Sequence, residues 1–256
     1  MRTICTTATI ATFLSASILA LSASAATLLS VDFGRNIGND PGTPSPVQAG
    51  FNGMAGNFPL GPNSPPPSLT AVFGSYTVTV TGDPYQSTDY TRVGFEDTAA
   101  SASGIDPSIR SLYEDAMINN LDLGDGSGLN LSIQGVTPNT QYQLKLWSYN
   151  SENTIYPTPT QFGPRSASNT TGTTGSVTQF ALPLPTSLDD YSTTILVSST
   201  SNTLDIHAAG FVSYGGTRMN GFELSSLVPE PSGVLLVTIG FVFAAAGCRR
   251  TSRLCD

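Results

Sequence analysis

The sequence predicts an all-β chain: an antiparallel β-sandwich of the jelly-roll kind with one short helix. Three observations lead there. Apolar and polar residues alternate with period two through much of residues 27–227, clusters of Gly, Pro, Asn and Ser separate the alternating runs, and a single stretch carries helical spacing. The three cysteines, Cys5, Cys248 and Cys255, lie outside that region. The fold must therefore rest on a packed core, which about 200 residues can supply without disulfides.

Taken in order, the chain opens on "MRTICTTATIATFLSASILALSASAA", with one positive charge at Arg2, an apolar run from Ile10 to Leu21 and small residues at Ala23 and Ala25. This is the pattern of a secretory signal peptide over residues 1–26. The domain starts with "TLLSVDFG", a candidate strand. Residues 40–68 are crowded with Pro, Gly, Ser and Asn and read as irregular loop. In "GSYTVTVTG" Tyr76, Val78 and Val80 alternate with threonines, which marks a half-buried strand.

Helical spacing follows in "DPSIRSLYEDAMINN", where Asp106 can cap, Pro107 takes the first helical position, and Ile109, Leu112, Tyr113, Ala116 and Met117 form one stripe. Strands return in "GLNLSIQG" and in "QYQLKLWSY", whose inward parity is Tyr142, Leu144 and Leu146. A second irregular stretch is expected from Asn150 to Gly175, before "TTILVSS", "NTLDIHA" and "MNGFELSSL" resume the alternation. The segment "VTPNTQY" is similar to the tyrosine corner of fibronectin type III domains, but only two strands follow such a corner in that fold. Three or more strand-like segments follow here, which favours the larger jelly roll.

The same region holds six basic and sixteen acidic side chains, a net charge of −10. Such a surface repels phosphate backbones, so nucleic acid is not an expected partner. His207 is the one histidine, and no G-x-S-x-G elbow accompanies it, so a nucleophilic triad is not expected. The carboxylate doublets Glu96-Asp97, Glu114-Asp115 and Asp189-Asp190 raise glycoside hydrolysis, yet adjacent strand residues point to opposite faces, and Glu114-Asp115 is expected on the solvated side of the helix. "LDLGDGSGLN" brings Asp122 and Asp125 together, but the twelfth position of an EF-hand loop would be Ile133, not Glu. No cofactor is expected; a structural calcium held by backbone carbonyls is compatible with a jelly roll and leaves no side-chain pattern.

The aromatic residues suggest more. Parity sets Trp147 and Tyr149 apart from Leu144 and Leu146 and leads them into a segment holding Asn150, Glu152, Tyr156 and Phe162. A sugar needs a flat apolar ring with planar amide or carboxylate groups beside it. Trp147, Tyr149, Asn150, Glu152 and Tyr156 are thus the expected ligand-binding residues, on a shallow exposed surface.

The chain closes on "VPEPSGVLLVTIGFVFAAAGCRRTSRLCD". Residues 233–247 are apolar but shorter than the ~20 residues that span a bilayer, and Arg249, Arg250 and Arg253 follow. Pro229-Glu230-Pro231, the short apolar run and the arginines, in that order, resemble the PEP-CTERM sorting signal over residues 228–256, with a tail running six residues past Arg250. The resemblance implies processing by exosortase, a membrane transpeptidase, after transient inner-membrane anchoring, and delivery to the envelope or the extracellular matrix, where such proteins accompany polysaccharide and biofilm.

"LLSVDFGRN", "VQAGF", "SLYEDAMI", "GVTPNTQYQLKLWSYN" and "RMNGFELSSL" further resemble ectodomains similar to galactose-binding-like and malectin-like jelly rolls. That implies carbohydrate contact without catalysis. A polysaccharide hydrolase or lyase and a purely structural or adhesive module are the alternatives.

Overall fold

A computed structural model describes residues 24–35, 46–56, 68–82, 92–97, 101–120, 128–150, 158–165, 170–172, 174–179, 182–210 and 217–228. Its strands are β1 (Ser24–Arg35), β2 (Asn52–Gly56), β3 (Ser68–Phe73), β4 (Tyr76–Gly82), β5 (Arg92–Asp97), β6 (Asp115–Asn120), β7 (Gly128–Gln134), β8 (Thr140–Trp147), β9 (Thr158–Pro164), β10 (Thr170–Gly172), β11 (Gly175–Gln179), β12 (Ser192–Ser199), β13 (Thr203–Gly210), β14 (Thr217–Met219) and β15 (Gly221–Val228). The helix α1 spans Pro107–Glu114.

Two six-stranded sheets make the sandwich: β10-β12-β8-β15-β1-β2 and β11-β9-β13-β7-β4-β3. A third, three-stranded sheet is β14-β6-β5. Pairing is antiparallel along β10-β12-β8-β15, throughout the second sheet and throughout the third. β1 and β2 pair in parallel. Among the described residues the chain is thus an all-β sandwich with one short α-helix and a single 3-10 turn at Ser101–Gly104.

Alternation places the core where the sequence put it. Val78 and Val80 of β4, Leu129, Leu131 and Ile133 of β7, and Leu204 and Ile206 of β13 meet Tyr142, Leu144 and Leu146 of β8, Val31 and Phe33 of β1, and Phe222 and Leu224 of β15 in one apolar cluster. The Tyr142 hydroxyl accepts a hydrogen bond from the Thr137 backbone N–H at 2.7 Å, so the expected corner is present. β9 to β15 follow it, too many for a fibronectin type III domain.

The helix is shorter than its pattern implied. Asp106 caps it through Ser108 N at 2.8 Å with Pro107 at its start, and Arg110 faces Glu114 at 3.8 Å. At Asp115 the backbone turns extended (φ −123°, ψ 151°), and residues 115–120 form β6 between β5 and β14. Ala116 and Met117 fit a helical stripe and a strand equally well, and two sheet partners decide for the strand. Glu114 and Asp115 are consequently buried, at 9% and 2% exposure, and do not lie on a solvated helical face.

Both expected loops also contain strands. β2 lies inside residues 40–68, and β9 and β10 lie inside 150–175. The prolines of β9, Pro159 and Pro164, sit near the ends of the strand, where they interrupt little of its ladder with β11 and β13. Residues 229–256, most of 1–26, and Asp122 and Asp125 lie outside the described residues.

Candidate functional site

The expected aromatic surface is not formed by Trp147, Tyr149 and Asn150. Their exposures are 1%, 1% and 2%. As its parity implies, Trp147 lies on the outer face of its sheet, away from Leu144 and Leu146. That face is roofed, however, by α1 and by residues 182–191. Trp147 and Tyr149 join Ile105, Ile109, Leu112 and Tyr113 in a second apolar cluster, flanked by Phe51, Leu184, Leu188 and Tyr191.

Directional contacts lock this cluster. Trp147 Nε1 donates to the Leu188 carbonyl at 2.8 Å, and Phe51 meets the indole edge-on with centroids 5.6 Å apart. Tyr149 packs edge-on against Tyr113 at 5.5 Å and against Tyr191 at 4.7 Å. The Tyr113 hydroxyl lies 2.9 Å from the Ser187 carbonyl and 2.8 Å from that of Asp190, and burial pushes its pKa up. Lys145 Nζ sits 5.0 Å from the indole centroid and pairs with Asp189. A ring enclosed in this way packs a layer and cannot stack on a sugar. Glu152 and Tyr156 lie outside the described residues.

An open site appears on the other sheet instead. A cleft of about 330 Å³ is lined by Gln161, Phe162, Gly163, Pro164, Thr174, Gly175, Ser176, His207 and Ala209, all from β9, β11, β13 and the residue before β11. Its geometry follows from strand register. Thr81, Asn130, His207 and Gly163 are successive cross-strand partners on one rung. Because Gly163 has no side chain, space opens beside the imidazole; a Cβ there would meet Thr174 Cγ2 at 3.0 Å.

His207 Nδ1 is 2.9 Å from Asn130 Oδ1. An amide oxygen can only accept, so Nδ1 is the donor of this bond. The ring also lies across Gly128, where a Cβ would stand 2.2 Å from His207 Cε1. Any larger residue at 128 would displace the imidazole.

The cleft therefore offers an oriented imidazole, the exposed Gln161 amide, and the Thr174 and Ser176 hydroxyls around Pro164 and Ala209, while the Phe162 ring turns into the core. In "LDIHAAG" the parity of Leu204 and Ile206 leaves His207 on the opposite face, but nothing local marks Gln161, Thr174 or Ser176. "TQFG" alternates at period two, a signal outweighed by the surrounding prolines. The lining contains no carboxylate, and no group of three or more His, Cys, Asp or Glu suited to a metal occurs among the described residues.

Fold and cleft together define a β-sandwich module with an open polar cleft on one sheet. No family model matches the chain, and no curated protein matches it. Among solved structures it is similar to TmCBM61, a carbohydrate-binding module determined in complex with β-1,4-galactotriose, at 15% identity over 58% of this chain and 88% of that one, with a TM-score of 0.30. A similarity at that level carries nothing about a site.

Proposed function

We propose that this chain is an exported bacterial envelope or matrix protein, delivered through a PEP-CTERM-type signal, whose sandwich (residues 27–227) binds extracellular polysaccharide without catalysis. The cleft around His207 carries the binding half of this reading. Hydroxyl-rich ligands need donors and acceptors at fixed angles beside apolar surface, and His207, Gln161, Thr174 and Ser176 lie around Pro164 and Ala209. Among the described lining residues there is no acid pair of the kind glycoside hydrolysis uses.

A glycan array probed with the purified chain is the test. Binding to bacterial exopolysaccharide is expected, and His207→Ala with Gln161→Ala should weaken it by about five- to 150-fold, each lost hydrogen bond being worth ~0.5–1.5 kcal/mol. One observation favours a purely structural or adhesive module: among the described residues the large exposed hydrophobic side chains are Leu28, Val47, Val72, Leu182 and Leu196, with no aromatic ring. Silence across the array would select that reading.

The delivery half rests on Pro229-Glu230-Pro231, the apolar residues 233–247, and Arg249 and Arg250. Glu230→Ala should keep the protein in the inner-membrane fraction at full mass, while the unaltered chain loses its tail and moves outward. Identical mass and fractionation for the two would remove exosortase as a partner.

A further inference from the structure

Independently of the cleft, a polar seam is buried on the outer side of the first sheet. Asp32 of β1, between the core residues Val31 and Phe33, is 1% exposed, and Gln48 of the turn before β2 is 4% exposed. The Gln48 backbone N–H donates to Asp32 Oδ2 at 2.7 Å, and Gln48 Nε2 donates to the Ser108 carbonyl of α1 at 2.8 Å. Gln48 thus joins strand, turn and helix. The remaining acceptors of the pair, Asp32 Oδ1 and Gln48 Oε1, are buried with no hydrogen-bond partner. The seam holds more acceptors than donors, whereas a buried carboxylate needs several donors to stay ionised.

The neighbouring elements do not make up the deficit. Gly221 of β15 packs on the Asp32 backbone, where a Cβ would stand 3.6 Å from Asp32 Cα, and it brings no side chain. Further along β15, Glu223 accepts from Ser30 and Thr27. β2 and residues 46–51 carry no charged residue. On α1, Arg110 turns to the Ser103 and Ile105 carbonyls and to Glu114 at 3.8 Å. On β14, Arg218 is 5% exposed, and burial alone lowers its pKa to about 10. The charged groups that act on Asp32 are Asp115 and Glu114, both acids. Burial pushes the Asp32 carboxyl up to about 7; the Gln48 N–H opposes this, and the two acids raise it further.

We propose that Asp32 and Gln48 form a proton-operated latch: neutral Asp32 lets the turn before β2 close on β1 with α1 tied to it, and loss of the proton loosens both. The neutral acid balances the inventory, since it keeps an oxygen for the Gln48 N–H and adds the donor that the seam lacks. An ionised Asp32 regains hydration only when the turn opens. The unfolded chain gives up this proton near the ordinary 3.8 and the folded chain near 7. The stabilisation is therefore complete below the lower value and is lost as pH rises to the upper one. Because Ile109, Leu112 and Tyr113 of α1 pack in the Trp147 cluster, a loosened latch reaches the aromatic roof.

Thermal unfolding of the purified chain and of Asp32→Asn, from about pH 5 to about pH 8, tests this. Asparagine keeps an acceptor for the Gln48 N–H and supplies a donor at every pH. Over that interval the parent's midpoint should fall relative to the variant's by roughly 5–10 °C. In the parent, the Gln48 and α1 amides should lose protection against hydrogen exchange while those of β7 and β13 keep theirs. A gap between the two chains that does not change with pH, or a loss of protection spread evenly over both sheets, would overturn the latch. Carboxyl-carbon NMR of the unaltered chain gives a readout independent of how the variant folds. A resonance assigned to Asp32 that titrates near neutrality is expected, and titration in the ordinary aspartate range would overturn the proposal equally.

Discussion

Trp147→Ala should abolish stable folding, or leave a chain that unfolds at far lower urea than its parent. The indole is 1% exposed and touches a layer drawn from three separate parts of the chain: α1, residue 51 and residues 184–191. Emptying such a site typically costs ~3–5 kcal/mol, a large share of the ~5–15 kcal/mol that holds a domain together. Trp147→Phe separates the contributions. It keeps a ring against Phe51 but removes the donor to the Leu188 carbonyl, so an intermediate loss is expected. Far-UV circular dichroism against urea checks both variants. As the protein's one tryptophan, Trp147 also makes emission a direct probe of the roof, and a blue-shifted native spectrum is expected. A soluble, fully folded Trp147→Ala with unchanged midpoint would show that the layer over this face is loose and return the indole to candidacy for ligand contact.

What the sequence could show about this residue, and what it could not, follows from the range of the interactions. The face to which Trp147 belongs is a local property, because side chains in a strand alternate with period two, and the same rule assigned Val78, Leu131, Leu144 and Ile206 to the core. What covers the face is not local. Leu188 lies 41 residues away, and the Ser187 and Asp190 carbonyls that hold Tyr113 lie 74 and 77 away from it. Asp32 illustrates the same limit: within "SVDFG" it reads as the outward polar residue of an alternating strand, yet Gln48 and the elements around α1 bury it. The cleft was hidden for a different reason. Gln161 and Thr174 stand in a stretch whose prolines and glycines argue for loop, and only pairing with β13 and β11 establishes β9 as a strand.

Asn220 lies between β14 and β15, at the junction of these layers, and Asn220→Ala should destabilise the chain by about 2–4 kcal/mol. Its side chain is 1% exposed and uses both ends of the amide: Oδ1 accepts from the Tyr149 backbone N–H at 2.6 Å, and Nδ2 donates to the Asp115 carbonyl at 2.8 Å. Its backbone joins the same junction, donating to the Trp147 carbonyl at 3.0 Å and accepting from Phe33 N at 2.9 Å. Alanine keeps the backbone bonds and removes the other two, leaving a buried donor and a buried acceptor to be satisfied elsewhere, at ~1–3 kcal/mol each. Thr178→Ala, at an exposed position of β11, should by contrast stay within about 0.5 kcal/mol. If the midpoint of Asn220→Ala matched that control, water would be replacing the amide at both ends, and the junction between the aromatic roof and the Asp115 seam would be wet instead of closed. If the loss is as large as expected, hydrogen exchange should show faster opening at Tyr149 and along β6 than in β7 or β13, because Asn220 is the side chain that bonds the end of the Trp147 strand to the start of the third sheet.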